Sequence, residues 1–303
     1  MIKFNIKKII QRNSYISRSK KVSLALKRIL LKDKIGIIDI GAGHRYLPIL
    51  LNFDGIAKIA MVDPNKSLNW SYDNFKKLIR YPNNLFKFKF GISNKTSKIK
   101  YYIANTLTGS TFVDIFKIAK KNSKELDSDY FGKKNFIIQQ VYSFKDFRNL
   151  FFKYDIDIIK IDVEGLEDKI ITSIMKYSSP FLIEVETNLN SEIYPNSFDK
   201  INLLLKKNNY KLLTGFPIYT RSKKSLKNDS FTIGNYDNPI LRAPLEQFEC
   251  IYIKDKKKYN LKEILILLGY GFLHEVKKII KLSKIKLSKK KLNLIDDFIK
   301  NFF

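Results

Sequence analysis

One cysteine, Cys250, stands among 303 residues. That excludes a disulfide framework, a cysteine zinc cluster and the two-thiol chemistry of some methylating enzymes. Long apolar runs are also missing: none approaches the roughly 18 to 20 residues of a membrane span. The first residues, Met1 to Lys8, are basic, but no long apolar stretch follows them, so no signal peptide is read. The expectation is a soluble protein of the reducing cytoplasm. Acidic residues are scarce, 29 against 57 Lys and Arg, which leaves a formal net charge of +28. What is abundant is apolar: 45% of residues are hydrophobic, enough to bury one large core or two small ones.

So much positive charge invites a nucleic acid or an anionic membrane surface as partner. Lys greatly outnumbers Arg, however, and Lys, Asn, Ile, Phe and Tyr are all common, as in A/T-rich genomes. Grooves that read nucleic acid favour Arg for bidentate and stacking contacts. Compositional drift is therefore the preferred reading. A nucleic-acid partner comes second, and peripheral membrane contact through the basic tails is a further alternative.

The chain divides into a basic helical extension over 1–34, a domain over 35–256 and a basic amphipathic helical extension over 257–303. Alternation predicts strands at Ile35–Ile40, Ile59–Val62, Phe86–Ile92, Lys98–Ile103, Phe136–Tyr142, Ile156–Asp162, Phe181–Val185, Tyr210–Leu213 and Phe248–Lys254. Helical spacing falls between several of them, at Leu47–Phe53, Ser67–Leu78, Phe144–Lys153, Glu167–Lys176 and Phe198–Asn208. Strands alternating with helices predict an α/β fold with a mostly parallel sheet covered on both faces. Residues 104–135 and 216–247 are polar and read as long loops, the first a candidate lid. The first extension is expected to cover the sheet edge or the ligand cleft, and the second to pack on the domain or on a dimer partner.

Two segments carry chemistry. The run from Ile37 through Asp39 and Ile40 to Gly41, Ala42 and Gly43 is a strand entering a glycine turn, where a missing β-carbon lets backbone approach a ligand. A second strand delivers Asp63 about 20 residues later, the spacing of a carboxylate that accepts both ribose hydroxyls. The other segment runs from Ile156 to Glu167. Lys160, Asp162 and Glu164 stand at every second position, on one face if the strand stays extended. Gly165 then turns the chain into a helix. A buried Lys among acids neutralises one of them; a pair that merely fixes the strand end is the plainer alternative.

This second segment closely resembles the signature of the FkbM family of S-adenosylmethionine-dependent methyltransferases. Asp39, Gly41 and Gly43 resemble its cofactor loop, and Asp63, Pro64 and Asn65 its acidic second-strand end. Gly91, Ser93 and Asn94 are similar to its turn after the third strand, and Gly109, Ser110 and Thr111 to its small-residue segment. Phe181 to Val185, with Glu184, resembles the next core strand. The resemblance covers about residues 35 to 255. It implies a Rossmann-like, doubly wound, seven-stranded sheet with an antiparallel last strand, the class I methyltransferase fold.

The implied reaction is methyl transfer from S-adenosylmethionine to a hydroxyl of a sugar, glycan or secondary metabolite. Asp162, Glu164 and Lys160 become the catalytic candidates, and Asp39, Gly41, Ala42, Gly43, Arg45, Asp63, Pro64 and Ser93 the cofactor-binding ones. A divalent ion on Asp162, Glu164 and Glu184 suits hard-cation chemistry, yet no ligand spacing demands it, so no metal is assigned. Arg45 stands where the family usually has Gly; it either pairs with the cofactor carboxylate or faces solvent. His44 reads as an exposed loop residue. An RNA methyltransferase and a non-catalytic binding protein on the same fold are the alternatives.

Overall fold

A computed structural model describes residues 2–29, 34–43, 47–104, 110–121, 135–189, 197–220, 245–282 and 287–302. Helix α1 (Ile2–Ile29) leads into strand β1 (Ile35–Ile40), a 3-10 turn (Pro48–Phe53) and β2 (Ala57–Val62). Helix α2 (Leu68–Leu78), β3 (Leu85–Phe88), β4 (Gly91–Ser93), β5 (Ser97–Tyr102) and α3 (Ile115–Lys121) follow. Then come β6 (Phe136–Ser143), α4 (Phe144–Leu150), β7 (Ile158–Ile161), α5 (Glu167–Tyr177), β8 (Leu182–Asn188) and α6 (Phe198–Lys207). The chain closes with β9 (Tyr210–Thr220), β10 (Leu245–Lys254), α7 (Leu261–Gly269), α8 (Leu273–Lys281) and α9 (Lys289–Phe302).

Seven strands form the main sheet in the order β3-β2-β1-β7-β8-β10-β9. Pairings among β3, β2, β1, β7 and β8 are all parallel, whereas β10 runs antiparallel to both β8 and β9. This is the expected class I methyltransferase arrangement, with the antiparallel strand last in the chain. The chain leaves β1 toward β2 on one side and returns to β7 on the other. Ligands bind in such sheets at that reversal, beyond the carboxyl ends of the strands.

Period two explains the two cores. Ile38, Ile40, Ile159, Ile161 and Ile183 face one side, covered by α4, α5 and α6 through Phe147, Ile170, Ile174 and Leu205. Ile35, Ile37, Ile158, Leu182 and Ile251 face the other, where Leu26 of α1, Leu265 of α7, Val276 of α8 and Phe298 of α9 cover them. Each such fully buried side chain contributes about 1.5–3 kcal/mol. The two terminal segments thus cover a face of the sheet, not its edge, and Arg18 of α1 donates to the Phe302 carbonyl of α9 at 2.6 Å. Among the described residues no helix is long and apolar enough to cross a membrane.

Several boundaries differ from expectation. The run Phe86–Ile92 breaks at a bend into β3 and β4, and β4 leaves for a separate three-stranded sheet, β4-β6-β5. Polar residues over 104–135 hide helix α3. The loop expected over 216–247 begins and ends as strand, since β9 and β10 pair from Thr220 and Leu245 onward; residues 221–244 lie outside the described ones.

Candidate active site

Parallel register sets the first layer of the site. Asp39 of β1 lies beside Lys160 of β7, and Lys160 lies beside Glu184 of β8. One row of side chains therefore carries acid, base and acid across the reversal point. The Lys160 ammonium lies 2.8 Å from Asp162 Oδ2 and 3.9 Å from Asp39 Oδ1. Its side chain is only 12% exposed. Burial alone would lower the ammonium pKa, but Asp162, Asp39 and Glu249 outweigh it and hold Lys160 above its usual range. Lys160 is therefore a fixed cation at neutral pH.

Beyond Ile161 the extended strand ends. Asp162 still turns toward Lys160, but Glu164 does not follow by strand alternation as expected. Its φ of 56° is left-handed, and Gly165 follows at 116°. A non-glycine residue there costs about 1–3 kcal/mol unless its surroundings hold it. Two groups do so. Thr111 Oγ1 donates to the Glu164 carbonyl at 2.6 Å. The Glu167 carboxylate accepts the N–H of Val163 at 3.1 Å and that of Gly165 at 2.9 Å. Burial pushes the Glu167 carboxyl up to about 8 despite these donors.

This turn brings Asp162 and Glu164 to Glu186 of β8, their oxygens all within 4.8 Å of one another. Glu184, expected to join them, is instead buried one row deeper, where it accepts from the Tyr270 hydroxyl at 3.0 Å. Burial, then the neighbouring Glu249 carboxyl, raises the Glu184 pKa well above the usual range. Glu186 is also raised, first by burial and then by Asp162 and Glu164. The converging carboxylates have the hard oxygen chemistry of a magnesium or calcium site. Such clusters also occur without ions, and no metal is assigned to this one.

The second layer is the glycine turn. A β-carbon on Gly41 would fall 1.7 Å from the Asp162 carbonyl oxygen, and φ there is +91°. On Gly43 it would fall 2.6 Å from Asp63 Oδ2. Close backbone approach thus requires glycine at 41, whereas Gly43 lies against a side chain, its N–H donating to Asp63 Oδ2 at 2.9 Å. Asp63 Oδ1 accepts from Asn65 N–H at 2.6 Å. Burial raises the Asp63 carboxyl to about 7, with the two backbone donors pulling the other way.

A cleft of about 30 Å³ opens beside these residues, lined by Gly41, Asp63, Pro64, Tyr101, Phe112 and Asp162 among others. Ala42 turns into the core rather than the cleft. Ser93 lines a separate hollow with Asn94, Lys100 and Lys169. Arg45 and His44 lie outside the described residues.

Sequence comparison decides the family. A model described as "Methyltransferase FkbM domain" matches residues 39–212, more than half of the chain. The chain belongs to the FkbM methyltransferase family. No curated protein matches it in sequence. Among solved structures, it is similar to an FkbM methyltransferase from Methylobacillus flagellatus KT at 14% identity and a TM-score of 0.37, covering 74% of this chain and 45% of that one. It thus spans under half of the Methylobacillus protein. TrmK from M. capricolum, in complex with S-adenosylhomocysteine, is 16% identical at a TM-score of 0.33, covering 92% of this chain and 94% of that one. ChlM from Synechocystis PCC 6803, a magnesium protoporphyrin IX methyltransferase with bound SAM, is 8% identical at 0.35, covering 80% and 81%. At such scores these likenesses say nothing about acceptor or mechanism.

The FkbM match spans Asp39, Asp63, Thr111, Lys160, Asp162, Glu164, Glu167, Glu184 and Glu186, but stops short of Glu249 and Tyr270. Sequence reading missed Glu186 because it ended the strand at Val185. The alternation that marks Lys160 and Asp162 also runs through Glu184 and Glu186.

Proposed function

We propose that this FkbM-family chain is an S-adenosylmethionine-dependent O-methyltransferase whose acceptor is a hydroxyl of a sugar, glycan or secondary metabolite. The carrying observation is that the carbonyl of Asp162 packs directly on Gly41. The nucleoside end and the acidic end of the cleft thereby share one wall.

The residues fit the cofactor. Asp63 spends one hydrogen bond on each oxygen, to Gly43 and Asn65. A carboxylate has about four acceptor positions, so two remain for ribose hydroxyls. Asp39 and Gly41 would hold the methionine side, and Pro64 would line the nucleoside pocket. The 30 Å³ cleft holds about one water, so Tyr101 and Phe112 are expected to turn aside for a nucleoside.

Bound S-adenosylmethionine supplies an already activated methyl group. What remains for the chain is alignment and removal of a proton. Asp162 and Glu164 lie where an acceptor hydroxyl can donate to a carboxylate, and they are assigned to positioning and base work. Lys160 holds the Asp162 carboxylate in place through their 2.8 Å ion pair. With Glu186 beside them, Asp162 and Glu164 form an acidic rim that favours a neutral hydroxyl acceptor over an anion.

Mass spectrometry of candidate sugars and metabolites incubated with methyl-labelled cofactor tests the reading. A labelled methyl on oxygen supports it. Label recovered only on RNA would replace it with an RNA methyltransferase.

A further inference from the structure

We propose that the C-terminal helical segment, which lies beyond the FkbM match, is part of the active site, with Tyr270 as a positioning residue that holds the buried Glu184 carboxyl beside Lys160. The proposal rests on the methyltransferase reading of the cleft.

Three contacts place Tyr270. Gly269 lies on the Phe53 ring so closely that a β-carbon would fall 2.4 Å from it. Asn52 Nδ2 donates to the Gly269 carbonyl at 2.7 Å. The Tyr270 ring stacks on Phe272, with centroids 6.3 Å apart and planes within 4°. Asn52 and Phe53 belong to the 3-10 turn that follows the glycine loop, so the end of α7 is clamped to the first strand-to-helix connection of the cofactor site. From there the Tyr270 hydroxyl reaches Glu184 Oε2 at 3.0 Å.

Glu184 faces groups from every neighbouring element. The Glu249 carboxyl of β10, opposite Glu186 on the antiparallel ladder, acts on it, Lys160 of β7 stands beside it, and Tyr270 donates to it. Asp39 of β1 also acts on Tyr270, and Asp162 lies on the far side of Lys160. Glu186 stands two residues along its own strand. A second carboxyl beside the buried Glu184 makes its ionised form costly. Tyr270 supplies a donor that favours the ionised form of Glu184. It thereby sets how much negative charge meets Lys160, and through Lys160 how Asp39 and Asp162 are held.

The test is titration of S-adenosylhomocysteine into the full-length protein by calorimetry from pH 6 to 9. It compares wild type, Tyr270→Phe, Glu184→Gln and the double variant. Tyr270→Phe keeps the stacked ring and is expected to bind about three- to tenfold more weakly at neutral pH. Its pH profile is expected to gain or move an inflection upward, away from that of Asp63. In the Glu184→Gln background the same change is expected to have little further effect, because the two residues act as a unit. Should Tyr270→Phe fail to fold, Glu249→Gln leaves the tyrosine in place and is expected to move the Glu184 inflection downward. Tyr270→Phe with wild-type affinity and profile, losses that multiply in the double variant, or an unmoved Glu249→Gln profile would overturn the proposal. A wild type that binds no S-adenosylhomocysteine would instead overturn the methyltransferase reading beneath it.

Discussion

Gly41 has no room for a side chain because the backbone carbonyl of Asp162 occupies that place. Asp162 N–H also donates to the Ile40 carbonyl at 2.9 Å, so the glycine turn and the acidic turn are bonded as one unit. A change in either loop is felt in the other.

The two glycines are expected to separate stability from binding. Gly41→Ala meets immovable backbone and a positive φ, so it should cost more than about 2 kcal/mol of folding stability. Gly43→Ala meets the Asp63 side chain, which can shift. It should melt near wild type yet weaken cofactor binding about tenfold. Urea unfolding and calorimetry on both variants check the contrast.

Lys160→Met removes the cation that lies 2.8 Å from Asp162 and 3.9 Å from Asp39. Removing one partner of a buried ion pair costs about 3–5 kcal/mol. The expected result is a large drop in the urea midpoint that the double variant Lys160→Met, Asp162→Asn partly restores.

Glu164→Gly should relieve the left-handed strain and raise stability slightly, by up to about 1 kcal/mol, while turnover falls. Thr111→Val removes the hydroxyl that holds the Glu164 carbonyl and should lower stability by about 1 kcal/mol. Thermal melts and methyl-transfer rates, measured together, separate the two.

The pH dependence of stability has a definite sign. Burial pushes the Asp63 and Glu167 carboxyls up to about 7 and about 8 in the folded chain, from ordinary values of 3.8 and 4.5. Between those limits the folded state binds more protons than the unfolded one, so stability falls as pH rises. The apo protein is expected to melt higher near pH 5 than near pH 8, and Glu167→Gln to flatten the slope above pH 5. Differential scanning calorimetry across that range checks it.

Much of this arrangement was legible in the chain. Ile35–Ile40 is read to the residue, and the acids at Asp39, Asp63 and Asp162 stand at strand ends because alternation and spacing mark them. Glu164 misled: two-residue periodicity places it on a strand face, whereas Gly165 and Glu167 bend it into a turn that periodicity does not encode. Glu186 was missed by one residue of strand length. Tyr270 left no local signal at all. Its partner is 86 positions away, and its place depends on how α7 lands on Phe53, which only the packed structure reveals.

If Asp63 holds the ribose of an adenosyl cofactor, as proposed, calorimetric titration of S-adenosylmethionine reads it out without need of an acceptor. Wild type is expected to bind with an affinity that rises as pH passes 7, because hydroxyl donors favour the ionised carboxylate. Asp63→Ala is expected to bind at least about tenfold more weakly. Equal affinity in the two proteins would contradict the assignment, and no binding by wild type would contradict the account as a whole.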